Sequence, residues 1–199
     1  MSTAFSSTKR YYSPAEYLAQ EKQAGERHEY FRGEILLMAG STPDHDRIAG
    51  TIQTIVDSFL LGNVCEVFTS NMRVKVGSNQ GYTYPDVTVA CHAEFEEIEG
   101  VKALTNPSAI FEVVSESTER IDRGRKLGQY VHIPSLREYL IVAQDEMRID
   151  HLVRTPEDNW RLNIQTQPDA VIHLESISLD LKLSDIYRRV QLPSQEPQP

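Results

Sequence analysis

The chain has 199 residues, 40% of them hydrophobic and 25% charged, so one globular domain with a sizeable core is expected. Its formal net charge of −9 argues against a protein that coats nucleic acid nonspecifically, because such binding comes mainly from phosphate neutralisation. A nuclease with a local basic rim stays open.

The longest apolar runs, such as Ile35 to Ala39, are too short to cross a bilayer. Met1 to Lys9 lack the apolar stretch of a secretory signal. The two cysteines, Cys65 and Cys91, show no metal-type spacing. They are expected as buried thiols in a reducing cytoplasm.

In chain order, Ser13-Pro14-Ala15-Glu16 is a helix start, with a capping Ser, Pro at the first helical position and Glu three after the cap. This helix is predicted to end near Lys22. Glu29 to Met38 reads as two strands around Arg32-Gly33. Thr42-Pro43 opens a second helix. Its residues Ile48, Ile52, Ile55, Val56, Phe59 and Leu60 recur at spacings of three and four, which predicts one buried face. Gly62-Asn63 ends it.

Strands are predicted at Val64 to Thr69, Met72 to Val76 and Tyr84 to Cys91. Residues 92–108 read as a connecting excursion. Ala109 to Val114 is almost continuously apolar, the pattern of a strand covered on both faces. A basic helix is predicted over Glu119 to Val131, stopping before Ile133-Pro134. Further strands are Glu138 to Ala143, Met147 to Val153, Trp160 to Gln165 and Val171 to Leu174. Leu183-Ser184-Asp185 starts a short closing helix, and Gln191 to Pro199 is expected as a disordered tail. The middle therefore reads helix, three strands, helix, strand. That order predicts an α/β (α+β) layer structure with a mixed central sheet flanked by helices.

Asp86 and Glu112 carry the chemistry. Each sits in or beside an apolar strand, and charged residues are rarely left buried unless paired or bound to a metal. Convergence on one cation is one reading; a surface aspartate on an edge strand and a solvent-facing glutamate are the other. Val114 shares the face of Glu112, so a lysine two residues on is lacking there. Lys126, in Asp122-Arg123-Gly124-Arg125-Lys126, can fill that gap or simply pair with Asp122 four residues earlier. Tyr130 falls on the same helix face. Glu34 is a third acid for the site or a hairpin-turn residue. His45, within Asp44-His45-Asp46, is a ligand, a catalytic group or part of a helix cap. No phosphate-cradling glycine loop and no nucleophile elbow is present.

Taken together, Ser13 to Leu18, Tyr30 to Ile35, His45 with its helix, Tyr84 to Val87, Phe111 to Thr118, Asp122 to Tyr130 and Ile133 to Leu140 form an ordered set. That set resembles the Uma-type family of predicted restriction endonucleases, abundant in cyanobacteria and formerly a domain of unknown function. The family belongs to the PD-(D/E)XK nuclease superfamily. The resemblance spans Tyr12 to Val190, which leaves residues 1–11 as a flexible N-terminus. It implies a restriction-endonuclease-like core, with Asp86 and Glu112 as Mg²⁺ ligands and Mn²⁺ as a substitute. It also implies that the lysine has moved to the following helix, as Lys126, with Tyr130 beside it and Glu34 as an additional acid. Arg123 and Arg125 are then expected against flanking phosphates of duplex DNA, and the protein is expected as a homodimer without membrane contact. The alternative is an inactive nuclease scaffold that binds nucleic acid or regulates. A third reading is an assembly protein whose acids are surface groups.

Overall fold

A computed structural model describes residues 10–38, 40–77, 81–98, 100–115 and 124–192. The first helix, α1 (Pro14–Glu21), is closed at its start by a complete capping box between Ser13 and Glu16. A hairpin follows, β1 (His28–Phe31) and β2 (Glu34–Leu37), paired antiparallel with Phe31 opposite Glu34. Its turn holds Arg32 and Gly33 at φ 46° and 92°. At Gly33 a Cβ would also come within 2.8 Å of the Tyr11 ring, so the position needs glycine twice over.

The second helix, α2 (Pro43–Leu60), is capped by Thr42 and buries Ile48, Ile52, Val56 and Leu60. Of the six apolar residues expected on its buried face, Phe59 is instead 47% exposed, near the helix end.

Most strands fall into two sheets of six. The central sheet contains β3 (Cys65–Thr69), β6 (Val87–Cys91), β9 (Ala109–Val114), β10 (Glu138–Ala143), β11 (Ile149–Arg154) and β12 (Trp160–Gln165). Its spatial order is β12-β11-β10-β9-β6-β3. The β9–β10 pair is parallel and the others antiparallel. The parallel pair requires a crossover, and the crossover includes α3, helical from residue 124 to residue 130. The order α2-β3-β6-β9-α3-β10 is the helix, three strands, helix, strand read from the sequence. The start predicted for α3, including Glu119 to Arg123, lies outside the described residues.

The second sheet departs from that reading. It joins β1 and β2 to β4 (Val74–Val76), β5 (Gly81–Thr83), β7 (Phe95–Ile98) and β8 (Val101–Leu104), in the order β2-β1-β5-β4-β8-β7. The 92–108 excursion is thus largely a β7–β8 hairpin, and the strand expected at Met72 to Val76 belongs to this sheet. Long-range pairings, such as Tyr30 with Tyr82 and Val74 with Leu104, build it. A third pair, β13 (Val171–Leu174) with β14 (Leu179–Lys182), leads into α4 (Leu183–Ile186).

Strand alternation divides the core. Ala109, Phe111 and Val113 pack with α2, β13, β14 and α4. Ile110 and Val114 pack with β4, β8, Tyr130 and Tyr139. Among the described residues no helix is long and apolar enough to cross a membrane.

Cys65 and Cys91 depart from the expected free thiols. They lie opposite each other in the β3–β6 register and form a disulfide. Both are half-buried. Cysteine usage therefore gives no argument for a reducing compartment.

Candidate active site

Pro85 lacks a ladder donor, and β6 begins two residues later, at Val87. Its pairing with β9 reaches Phe111, the partner of Val87. Val113 therefore extends past the end of that ladder. Its N–H is taken by Asp86, whose Oδ2 accepts it at 2.7 Å. The same oxygen lies 3.2 Å from Nε2 of His45, in the first turn of α2.

Glu112 points to the opposite side of β9 from Phe111 and Val113 and is 2% exposed. Tyr130 donates its phenolic hydrogen to Oε1, and Nζ of Lys126 lies 2.8 Å from Oε2. Both partners project from α3, four residues apart and so on one helix face. Lys126 is thus paired with Glu112; Asp122, the other partner read from the sequence, lies outside the described residues.

Lys126 has a second carboxylate, that of Glu29 on β1, with Oε1 at 3.7 Å. Glu29 Oε1 accepts the Thr83 hydroxyl at 2.6 Å, and Oε2 lies 3.3 Å from the Arg125 guanidinium. Thr83 Oγ1 is also 3.3 Å from the Tyr130 hydroxyl. Glu29, Thr83, Tyr130, Glu112 and Lys126 therefore form a closed polar ring that joins both sheets to α3.

The charges oppose one another. Burial, aided by the Asp86 and Glu29 carboxylates, pushes Glu112 up to about 7 against the pull of Lys126. Burial alone would lower Lys126, but Glu112 and Glu29 outweigh it and hold the ammonium well above its ordinary value. Burial would likewise lower His45, and the Asp86 and Asp46 carboxylates raise it instead.

These groups open onto a cleft of about 530 Å³ between the β1–β2 hairpin, α2 and the ends of β6 and β9. Glu29, His45, Asp86, Glu112, Arg125 and Lys126 line it. Tyr130 lies behind Glu112, fully buried. Glu34 does not line the cleft; it opens β2 beside the hairpin turn. The hairpin's acid in the cleft is Glu29, 8% exposed, which sequence reasoning missed. The signal that singled out Glu112, an acid within an apolar strand, was present in His28-Glu29-Tyr30-Phe31 as well. Arg123 lies outside the described residues.

Among the described residues no group of three or more His, Cys, Asp or Glu side chains is arranged to hold a metal ion. Asp86 and Glu112 offer hard oxygen donors, and a cation held by two carboxylates keeps positions for water and phosphate.

A family described as "Putative restriction endonuclease", Uma2, matches residues 14–185. Two uncharacterized Synechocystis proteins are similar. One, slr1290, is 35% identical over 176 residues, covering 88% of this chain and 91% of its own. The other, sll1609, is 34% identical over 155 residues, covering 78% of this chain and 88% of its own. The fold is shared with a crystal structure described as a putative nuclease belonging to DUF820 from Anabaena variabilis. The TM-score is 0.73 at 16% identity, over 89% of this chain and 98% of that one. With a match across most of its length and two relatives above 30% identity, this chain belongs to the Uma2 family of putative restriction endonucleases.

Proposed function

We propose that this protein is a divalent-cation-dependent endonuclease that hydrolyses DNA phosphodiester bonds, with Mg²⁺ as the cation and Mn²⁺ as a substitute. One observation carries the reading. The Asp86 and Glu112 carboxylates, from the ends of β6 and β9, line one cleft together with Lys126, whose ammonium lies 2.8 Å from Glu112 Oε2. Asp86 and Glu112 are the residues that would hold the cation. When bound there, it would act as a Lewis acid on a phosphate oxygen and lower the pKa of an attacking water.

The remaining roles belong to the chain. Lys126 stays charged at neutral pH and stabilises negative charge that develops on the phosphate. Tyr130 holds Glu112 by its hydroxyl. His45 holds Asp86 from the α2 side. Arg125, at the rim, meets a flanking phosphate, and Arg123 is assigned to the same task. A duplex would be cut by a symmetric pair of chains, one site per strand.

Calorimetric titration of Mn²⁺ and Mg²⁺ into wild type and Glu112→Gln tests the site without knowledge of the substrate. Binding by wild type that disappears in the variant, with circular dichroism unchanged, is expected. No binding by folded wild type would favour the alternative, a catalytically inactive nuclease fold that binds nucleic acid or regulates.

A further inference from the structure

We propose that Glu29 is a positioning residue, a second anionic seat for Lys126 that lets the ammonium leave Glu112 free for a cation while staying in the cleft. The inference rests on the site reading above and assigns a role to a residue of the other sheet.

Lys126 Nζ is shared unequally, 2.8 Å from Glu112 Oε2 and 3.7 Å from Glu29 Oε1. A cation and this ammonium compete for the same Glu112 carboxylate. Without another anion in reach, the lysine would have to stay on Glu112 or withdraw, because a buried ammonium without a partner is costly. Glu29 removes that conflict. Its side chain is 11% exposed. Its orientation is set from two sides: the Thr83 hydroxyl at 2.6 Å fixes Oε1, and Arg125 at 3.3 Å faces Oε2. Thr83 belongs to β5, which is paired with β1 through Tyr30 and Tyr82, so the seat is carried by the sheet itself. Lys126 and Arg125 are neighbours on α3, and Glu29 faces both. One acid thus sets the position of the basic end of α3 over the cleft.

A double-mutant cycle on Mn²⁺ affinity, read by calorimetry, tests this with Glu29→Gln, Lys126→Met and the pair. Glu29→Gln should weaken Mn²⁺ binding by about tenfold, because Lys126 then competes undivided for Glu112. In the Lys126→Met background the same change should cost less than about threefold, because the competitor is gone. A full tenfold loss that persists without Lys126 would make Glu29 a direct ligand and overturn the positioning role. An unchanged affinity in folded Glu29→Gln would overturn the inference while leaving the metal site intact. No Mn²⁺ binding by wild type would overturn the site reading and this inference with it. Thr83→Val gives the second variant, since it keeps the Glu29 charge and removes its anchor. Weakening in the same direction, again lost without Lys126, supports the seat; no weakening overturns it.

Discussion

Asp86 accepts the backbone N–H of Val113 at 2.7 Å, so one candidate ligand is tied to the residue directly after the other. Asp86 is thereby held against the end of β9 that carries Glu112. Glu112 faces the second sheet and Val113 faces α2, and the Asp86 side chain reaches the main chain between those two faces.

Asp86→Asn keeps an oxygen that can accept from Val113 and removes the charge. Its melting temperature should stay close to wild type while Mn²⁺ binding is lost. Asp86→Ala should lose binding as well and cost a further ~1–3 kcal/mol of stability, because the Val113 N–H is left without its acceptor. Paired denaturation and titration experiments separate the two effects.

Glu112 makes the cation-free protein pH-dependent. Its folded value of about 7 lies above the ordinary 4.5. Between those limits the native state keeps a proton that the unfolded chain releases. Stability from this group is therefore full below about 4.5 and declines as pH rises to about 7. Urea denaturation in chelator across this range should show a steeper decline for wild type than for Glu112→Gln. Equal slopes would contradict the assignment.

Glu138 acts with the opposite sign. It is fully buried. Its Oε1 faces His151 Nε2 at 2.9 Å and accepts the Glu175 N–H at 3.1 Å, while Oε2 takes the Ser176 N–H at 3.0 Å and its hydroxyl. Burial would raise the carboxyl, but these hydrogen bonds outweigh it and hold it below its ordinary 4.5. Its contribution is present above pH 4.5 and is lost as pH falls through the lower folded value. Acid unfolding followed by circular dichroism should be shallower in Glu138→Gln, which should also be less stable at neutral pH by about 2 kcal/mol.

Arg154 staples the connection between α3 and β10. Its guanidinium donates to the carbonyls of Leu136, Val131 and Ile133 at 2.8, 3.1 and 2.9 Å. It lies over the Trp160 ring at 4.7 Å. A lysine cannot reproduce this fork. Arg154→Lys should cost ~2–4 kcal/mol in urea denaturation, with Mn²⁺ affinity retained because Lys126 is anchored separately by Glu112 and Glu29.

Local chemistry made much of this protein legible. The Ser13–Glu16 capping box, the Arg32-Gly33 hairpin, the α2 stripe and the covered strands β9 and β10 all depend on neighbours within a few residues, where periodicity and capping operate. Glu112 was visible for the same reason, as an acid inside an apolar run. The assembly of the second sheet was not, because its strands of three or four residues carry little pattern and its hairpins are joined by pairings far along the chain, as between Tyr30 and Tyr82. The disulfide escaped because facing cysteines are a matter of register, and Cys65 meets Cys91 through the β3–β6 pairing.

By itself the sequence determined the family, the order of the core elements and the two acids beside the central strands. Tertiary structure alone decided that Glu29 rather than Glu34 enters the cleft and that Lys126 lies between two carboxylates. The physical reason is that a side chain's partner across two sheets depends on strand register and helix placement, which nearby residues do not encode.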